Sequence, residues 1–317
     1  MIRTASIFAS GAAALLLAAA QPALAQDGHV NHAEGHAAHG HAHAAFASDR
    51  LHVRVDGPEG APDLILIPGL SSSPEIWQGV VDHLGDRYRV HRIHVQGFAG
   101  APAEGNASGP VAAPVAEEIA RYIREQGLRK PAVVGHSMGG TMGMMLAARH
   151  PDLVGKLMVV DMIPFMGAMF GPPGTTAESI APVADQVFTA QSTAPRDQYL
   201  IQAKASVTGM IKTEAARPGP LGDVETSDQQ VSAAAFRELI LTDLRPELGK
   251  ITAPTEVLYV KFNDPRMTDA ITDTIYQMSF ANLPGAKLKR IDDSAHFIML
   301  DQPTAFYGDL DAFLSAK

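Results

Sequence analysis

The sequence predicts an α/β protein in which helices cover both faces of a mostly parallel sheet. Short apolar runs alternate with segments of helical periodicity along most of the chain. The run Asp63 to Ile67 (DLILI) is almost continuously apolar, as expected of a strand buried on both faces. A stretch of roughly 90 residues separates Asp161 from the next buried strand, which is far longer than a crossover connection and indicates an insertion.

The individual elements follow from apolar periodicity and from turn residues. We predict strands at residues 51–55, 63–67, 88–95, 132–134, 156–161, 256–260 and 287–291. Ser73 and Pro74 are typical of a helix start, a capping serine followed by a first-turn proline. Helices are predicted from there to Leu84, over residues 115–125 and 139–150, and at the C-terminal end up to Leu314.

The insertion, residues 166–245, is predicted to be a helical cap or lid over the remaining body, residues 49–165 and 246–317. Helical stretches are expected from Gln198 to Lys212 and from Ser232 to Leu241. Two Pro/Gly-rich pieces, residues 171–174 and 217–220, are expected to be flexible.

The first 25 residues have the features of a cleavable export signal. Arg3 supplies the positive start, Gly11 to Ala20 (GAAALLLAAA) is the apolar core, and Ala23-Leu24-Ala25 is a small-residue cleavage site. The apolar core is short for a membrane span, so an uncleaved anchor is the weaker alternative. We therefore expect a periplasmic or secreted protein that is cleaved after Ala25, with no stable membrane span in the mature chain.

A histidine-rich segment, residues 26–48, follows and is predicted to be a flexible leader. Dense imidazoles can bind divalent transition metals weakly, but no cysteine or clustered carboxylate completes a closed site. A solvated linker without specific function is the other interpretation. The histidines concerned are His29, His32, His36, His39, His41 and His43.

Composition excludes several classes of function. The chain has 317 residues, of which 46% are hydrophobic and 19% charged, so a wholly disordered or fibrous protein is excluded. It contains no cysteine, which excludes disulfides, iron–sulfur clusters and thiol catalysis. Acidic residues outnumber basic ones, 34 to 25, so a nucleic-acid partner is not expected.

The main candidate for a catalytic motif is Gly135-His136-Ser137-Met138-Gly139, which fits the pattern G-x-S-x-G. The pentapeptide lies between a predicted buried strand and a predicted helix, the context in which this motif presents a nucleophilic serine on a sharp turn. Ser137 is therefore the candidate nucleophile. The alternative is that these residues form a glycine-rich turn with a purely structural role. The side chain of His136 is expected to point away from that of Ser137.

A serine hydroxyl needs a general base, and the base needs an acid that orients it. His296 is the candidate base because it follows the last predicted strand and precedes the last helix. Asp264 is the first candidate for the acid, since it follows the strand at 256–260. Asp161, at the end of the strand before the insertion, is its main rival, whereas Asp292 and Asp293 lie too near His296 in sequence. The other folded-body histidines have packing or capping interpretations.

Two backbone N–H groups are needed to stabilise the negative oxygen that forms during acyl transfer. Met138, directly after the nucleophile, is one candidate donor. Leu70 is the second, because it lies in the loop after the strand at 63–67 and follows Gly69, which permits close backbone approach.

These motifs resemble the α/β-hydrolase superfamily over residues 51–317. The resemblance rests on Ile67-Pro68-Gly69-Leu70 with Trp77 downstream, on Gly-His-Ser-Met-Gly-Gly at 135–140, on the Asp264 turn, and on Ala295-His296-Phe297 followed by Asp301-Gln302-Pro303. It implies an eight-stranded, mostly parallel sheet, a cap over the cleft, a Ser–Asp–His order and an acyl-enzyme, with no cofactor. The sequence departs from the usual pattern at residues 68–69, 94–101 and 261–264.

The substrate is predicted only by class. We expect an exported serine hydrolase that cleaves a small ester, with Trp77, Met166 and Met169 in the substrate pocket because methionine suits adaptable apolar sites. Met142, Met144 and Met145 are expected to fill core. An aminopeptidase, a carbon–carbon hydrolase, a lactonase or a cofactor-free haloperoxidase are the enzyme alternatives. A periplasmic metal-binding protein that uses the histidine-rich leader is the alternative from another class.

Overall fold

The computed structural model describes residues 46–262, 264 and 266–316. The predicted export signal and the six histidines of the leader lie outside these described residues. Within them, no helix is both long enough and apolar enough to cross a membrane.

The sheet has seven strands in the order β1-β3-β2-β4-β5-β6-β7. Only the edge strand β1 is antiparallel to its neighbour, and the other described pairings are parallel. The predicted class is confirmed, but the expected eight strands are corrected to seven within the described residues. Each predicted strand is present: β1 Leu51–Asp56, β2 Asp63–Ile67, β3 Arg89–Val95, β4 Ala132–His136, β5 Lys156–Val160, β6 Thr255–Tyr259 and β7 Lys287–Arg290.

Ten α-helices are present in the described part of the chain. They are α1 Gln78–Leu84, α2 Ala112–Glu125, α3 Met138–Arg149, α4 Ala177–Thr193, α5 Arg196–Gly209, α6 Pro218–Thr226, α7 Gln229–Leu241, α8 Asp269–Ser279, α9 Ile298–Asp301 and α10 Pro303–Ser315. A 3-10 turn, Pro74–Trp77, precedes α1, and the Ser73 side chain accepts the Glu75 N–H at its start. Another 3-10 turn spans Met166–Met169.

The hydrophobic core lies on both faces of the sheet. Ile65 and Ile67 of β2 belong to the cluster beneath α2 and α3, whereas Leu64 and Leu66 belong to the cluster beneath α1 and α10. Successive residues of a strand point to opposite faces, which explains why a strand covered on both sides is apolar at every position.

The placement of Trp77 in a substrate pocket is wrong. Its side chain is fully buried, with 0% relative exposure, and it packs in the α1–α10 cluster. The ring centres of Trp77 and Phe306 are 6.2 Å apart. Trp77 is therefore a core residue on the α1–α10 face of the sheet.

The segment between β5 and β6, residues 166–245, contains α4 to α7. Helices α5 and α7 include most of the two stretches predicted to be helical, whereas α4 is an additional helix that the apolar pattern does not predict. The Pro/Gly-rich piece at 217–220 is not a flexible loop, because Pro218 opens α6 at a position where its missing N–H costs nothing. Below we call residues 166–245 the β5–β6 segment.

Hydrogen bonds join the β5–β6 segment to the loops that follow β2 and β3. The carboxylate of Asp223 accepts the N–H of Ser73 at 2.8 Å, and the hydroxyls of Ser71 and Ser232 lie 2.8 Å apart. Asp228 donates its N–H to the carbonyl of Gly97 at 2.7 Å. The segment is thus anchored to the same edge of the sheet at which the chemistry is predicted.

Candidate active site

Ser137 occupies the sharp turn between β4 and α3. Its backbone has φ 54° and ψ −122°, a positive-φ conformation that a non-glycine residue rarely adopts. Its N–H donates to the carbonyl of Val160 at 2.9 Å, and its own carbonyl accepts the N–H of Gly140 at 2.8 Å. These bonds hold a strained turn of the kind that presents a nucleophilic serine at the end of a strand.

The two glycines of the motif allow the helix to lie directly against the sheet. A Cβ on Gly135 would be 2.1 Å from the carbonyl oxygen of Gly139. A Cβ on Gly139 would be 2.2 Å from the carbonyl oxygen of Ile67 in β2. Both contacts are with backbone atoms, so no side-chain movement could accommodate a larger residue at either position.

His296 forms a short hydrogen bond with Asp161. Its Nδ1 lies 2.6 Å from Oδ2 of Asp161, and the two side chains are 21% and 9% exposed. An ionised carboxylate can only accept, so Nδ1–H is the donor and Nε2 is left as the basic nitrogen. This is the arrangement by which an acid fixes the tautomer of a catalytic base.

The carboxylate of Asp161 is held by further donors. Its Oδ1 accepts the N–H of Val260 and the hydroxyl of Tyr276, each at 3.0 Å. Burial first, and then the neighbouring carboxylate of Asp161, raise the pKa of Tyr276 well above its usual value, so the phenol stays a donor. Both oxygens of Asp161 are therefore satisfied, and its orientation toward His296 is fixed from two sides.

The prediction that Asp264 orients His296 is wrong in this structure. The carboxylate of Asp264 instead accepts bonds from Arg266, from its backbone N–H at 2.8 Å and its Nε at 3.0 Å. The Arg266 side chain lowers the pKa of Asp264 to about 2. Asp161, the rival candidate, takes the position beside His296.

Strand order explains why Asp161 is well placed. His136 at the end of β4 is paired with Val160 at the end of β5, so Ser137 and Asp161 leave the sheet side by side. Two residues that follow neighbouring parallel strands lie at the same edge of the sheet. The position of Asp161 directly after a strand is therefore the sequence feature that could have identified it. That feature is decisive only once it is known that this strand lies next to the strand that precedes Ser137.

The loop after β2 lies against the turn that carries Ser137. A Cβ on Gly69, the residue before Leu70, would be 3.1 Å from Cβ of Ser137. Within the described residues, neither the N–H of Leu70 nor that of Met138 donates a backbone hydrogen bond. Met138 is also the first residue of α3, where the helix dipole is positive. A role of these two N–H groups as oxyanion donors stays a prediction.

His136 contacts His296, although the sequence predicts only that it points away from Ser137. Its Nε2 lies 3.0 Å from the carbonyl oxygen of His296, and the two ring centres are 4.6 Å apart. In the described part of the chain, no hydrogen bond joins the hydroxyl of Ser137 to His296. Bonds between nucleophile and base are often long before substrate binds.

The methionines divide between core and surface. Met138, Met142, Met144 and Met145 are fully buried, as expected of core for the last three. Met166 is half-buried and packs against two of the apolar clusters, whereas Met169 is 40% exposed. A role of Met166 and Met169 in binding substrate stays a prediction.

The described residues contain no cluster of side chains of the kind that binds a metal ion. No set of three or more His, Asp or Glu side chains there is arranged to hold an ion. The prediction of weak metal binding concerns histidines of residues 26–48, all six of which lie outside the described part.

Comparison with known proteins identifies the family. The sequence matches the model of the Alpha/beta hydrolase family over residues 64–309, and the chain belongs to that family. The expectation drawn from the motifs is confirmed.

The sequence identity to individual relatives is low. The chain is 26% identical to a pimeloyl-[acyl-carrier protein] methyl ester esterase of Aeromonas hydrophila, over 80% of this chain and 95% of that protein. Its fold is similar to the enol-lactonase of Burkholderia xenovorans LB400, with a TM-score of 0.67, 21% identity and coverage of 84% and 96%. An esterase of Exiguobacterium antarcticum has the same TM-score at 18% identity, with the same coverages.

Proposed function

We propose that this protein is a serine esterase in which Ser137 is the nucleophile, His296 the general base and Asp161 the orienting acid. The observation that carries the proposal is the 2.6 Å bond between His296 and Asp161, at the sheet edge where Ser137 sits in a strained turn. A carboxylate on Nδ1 that is only 9% exposed and fully hydrogen-bonded leaves Nε2 as the nitrogen that takes a proton.

The reaction has two halves. Ser137 Oγ attacks the ester carbonyl carbon while Nε2 of His296 takes its proton, and the N–H groups of Leu70 and Met138 stabilise the oxyanion. The carbon–oxygen bond to the alcohol breaks, and the alcohol leaves with the proton from His296. Water then attacks the acyl-enzyme and gives a proton to His296, which returns it to Ser137 as the acid departs.

Carboxylic esters are the proposed substrate class. The family match and the relative named as a methyl ester esterase, aligned over nearly its whole length, support ester cleavage with a small leaving alcohol. The acyl group is proposed to be apolar, because half-buried Met166 and exposed Met169 lie at the start of the β5–β6 segment, which follows β5.

A fluorophosphonate probe followed by intact-mass measurement tests the proposed nucleophile. One adduct is expected on the wild type and on Ser206→Ala, a control at an exposed serine of α5, and none on Ser137→Ala. Hydrolysis of a p-nitrophenyl ester should disappear with Ser137→Ala and with His296→Ala. Labelling of Ser137→Ala, or unlabelled wild type that is folded by circular dichroism, would contradict the proposal.

Export is a separate part of the proposal and rests on residues 1–25 alone. Arg3, the apolar run from Gly11 to Ala20 and the small-residue site at Ala23 to Ala25 support it. N-terminal sequencing of the protein expressed in a Gram-negative host and recovered by osmotic shock should begin at Gln26. A cytoplasmic product that begins at Met1 would contradict it.

A further inference from the structure

We propose that His136 is a positioning residue that fixes the backbone of His296 and the loop at Gly69 relative to Ser137. The inference rests on the proposed function, because it concerns the placement of the proposed base and oxyanion donors. It assigns a task to the variable position that precedes the serine within the G-x-S-x-G motif.

The first observation is the contact with the His296 loop. Nε2–H of His136 donates to the carbonyl oxygen of His296 at 3.0 Å. The ring centre of His136 is 4.6 Å from that of His296 and also 4.6 Å from that of Phe297. One imidazole therefore supports the base through its main chain and through the rings on either side of that carbonyl.

The second observation is the contact with the loop after β2. A Cβ on Gly69 would lie 3.2 Å from Nδ1 of His136 and 3.1 Å from Cβ of Ser137. The imidazole thus fills the space between the Gly69 loop and the His296 loop. Three segments that are far apart in sequence meet on this one side chain.

The third observation is the burial of the ring, whose Nδ1 has no hydrogen-bond partner in the described residues. His136 is 1% exposed, and burial first, then the adjacent His296, hold its pKa well below the usual value. Because Nε2 carries the proton that it donates, Nδ1 bears the lone pair, and it is buried with no partner in the described residues. His136 can therefore stay neutral beside His296 while His296 becomes an imidazolium.

The backbone N–H groups of the two residues that flank His296 bond to other parts of the molecule. Ala295 N–H donates to Asp301 in α9, and Phe297 N–H donates to the carbonyl of Met210. Those bonds tie the loop to α9 and to the β5–β6 segment. Only His136, the neighbour of Ser137, ties it to the turn that carries the nucleophile among the contacts described.

A matched pair of substitutions tests the role. His136→Phe keeps a ring but leaves the His296 carbonyl without its donor, whereas His136→Gln keeps an N–H donor of similar reach. We expect His136→Phe to lower kcat for a p-nitrophenyl ester about 10- to 100-fold with KM changed less than about 3-fold, since small displacements of catalytic groups have effects of that size. His136→Gln should restore most of kcat. His91→Phe, at a buried histidine of β3 bonded to Tyr122 and Asp63, is the control and should leave kcat per folded molecule unchanged.

A measurement on the wild type does not depend on any variant folding. Nitrogen-15 chemical shifts of His136 should report the neutral Nε2–H tautomer throughout the pH range of activity. The Nδ1–H tautomer or a protonated ring would overturn the inference, as would wild-type kcat in His136→Phe or equal losses in His136→Phe and His136→Gln. If Ser137→Ala retains activity, the proposed function fails instead, so the two failures are distinguishable.

Discussion

Asp161 Oδ2 lies 2.6 Å from Nδ1 of His296, although the two residues are 135 positions apart in the chain. Asp161 follows β5 and His296 follows β7, so the bond spans the carboxyl edge of the sheet across β6. Val260 and Tyr276 hold the other carboxylate oxygen and prevent the acid from turning away. The proposed acid is therefore held by β6 and α8, whereas Asp264 is paired with Arg266.

The choice of acid gives the first prediction. Asp161→Asn should lower kcat for ester hydrolysis about 10³- to 10⁴-fold, because an amide at this position no longer fixes the tautomer or stabilises the imidazolium. Asp264→Asn should stay within about threefold of the wild type, since Asp264 binds Arg266. Steady-state kinetics on a p-nitrophenyl ester, with both variants checked by circular dichroism, measures the difference. A large loss in Asp264→Asn together with a small one in Asp161→Asn would reverse the assignment.

Much of the fold is predictable because local patterns specify it. Strand β2 is predicted with its full bounds, since a strand covered on both faces is apolar at nearly every position. The turn at Ser137 is predicted because the motif needs glycines where α3 touches β4 and β2. His296 is predicted as the candidate base from its position after the last strand, and in the structure it lies beside Asp161.

The wrong predictions concern contacts between distant parts of the chain. Asp161 and Asp264 both follow strands, and only the sheet order and the side-chain partners decide which one reaches His296. Trp77 follows a conspicuous loop motif, yet its ring turns into the core against Phe306. Pro218 resembles a helix breaker in sequence but is the first residue of α6, where proline is favourable.

The close approach of α3 to the sheet gives a prediction about stability. Gly139→Ala should destabilise the fold by about 3 kcal/mol or more, since the new Cβ would lie 2.2 Å from the carbonyl oxygen of Ile67 and backbone must move. Gly222→Ala, in helix α6 where an added Cβ would meet no atom within 4 Å, should instead stabilise by about 0.5–1 kcal/mol. Urea unfolding of the two variants measures both changes. Equal stabilities would show that the turn tolerates the added methyl group.

Asp301 offers a second test of how the His296 loop is held. Its carboxylate accepts the N–H groups of Thr213 at 2.8 Å, Ala295 at 2.9 Å and Lys212 at 3.1 Å. Burial alone would raise the pKa of Asp301, but these three donors together lower it. Asp301→Asn should therefore cost about 1–2 kcal/mol of unfolding free energy at neutral pH, because an amide cannot accept all of these bonds.

The stability lost in Asp301→Asn should depend on pH, and the lowered pKa of Asp301 sets the direction of that dependence. The folded pKa of Asp301 lies below its unfolded value, so its stabilisation is present above the unfolded pKa and is lost as the pH falls through the folded one. The difference in unfolding free energy between wild type and Asp301→Asn should shrink toward acid. Denaturant titrations at a series of pH values measure it, and a difference that stays constant with pH would exclude a charge-based role.

The contribution of Asp223 to stability should have the opposite pH dependence. Burial raises the pKa of this carboxyl, and the backbone and side chain of Ser73 only partly oppose the effect. A folded pKa above the unfolded value means that the associated stability is present below the unfolded pKa and is lost as the pH rises through the folded one. Asp223→Asn keeps an acceptor for the N–H of Ser73 but carries no charge. Its unfolding free energy, relative to the wild type, should therefore rise between acid and neutral pH, whereas that of Asp301→Asn falls. The same denaturant series measures both variants, and parallel pH profiles would show that burial does not control the ionisation of Asp223.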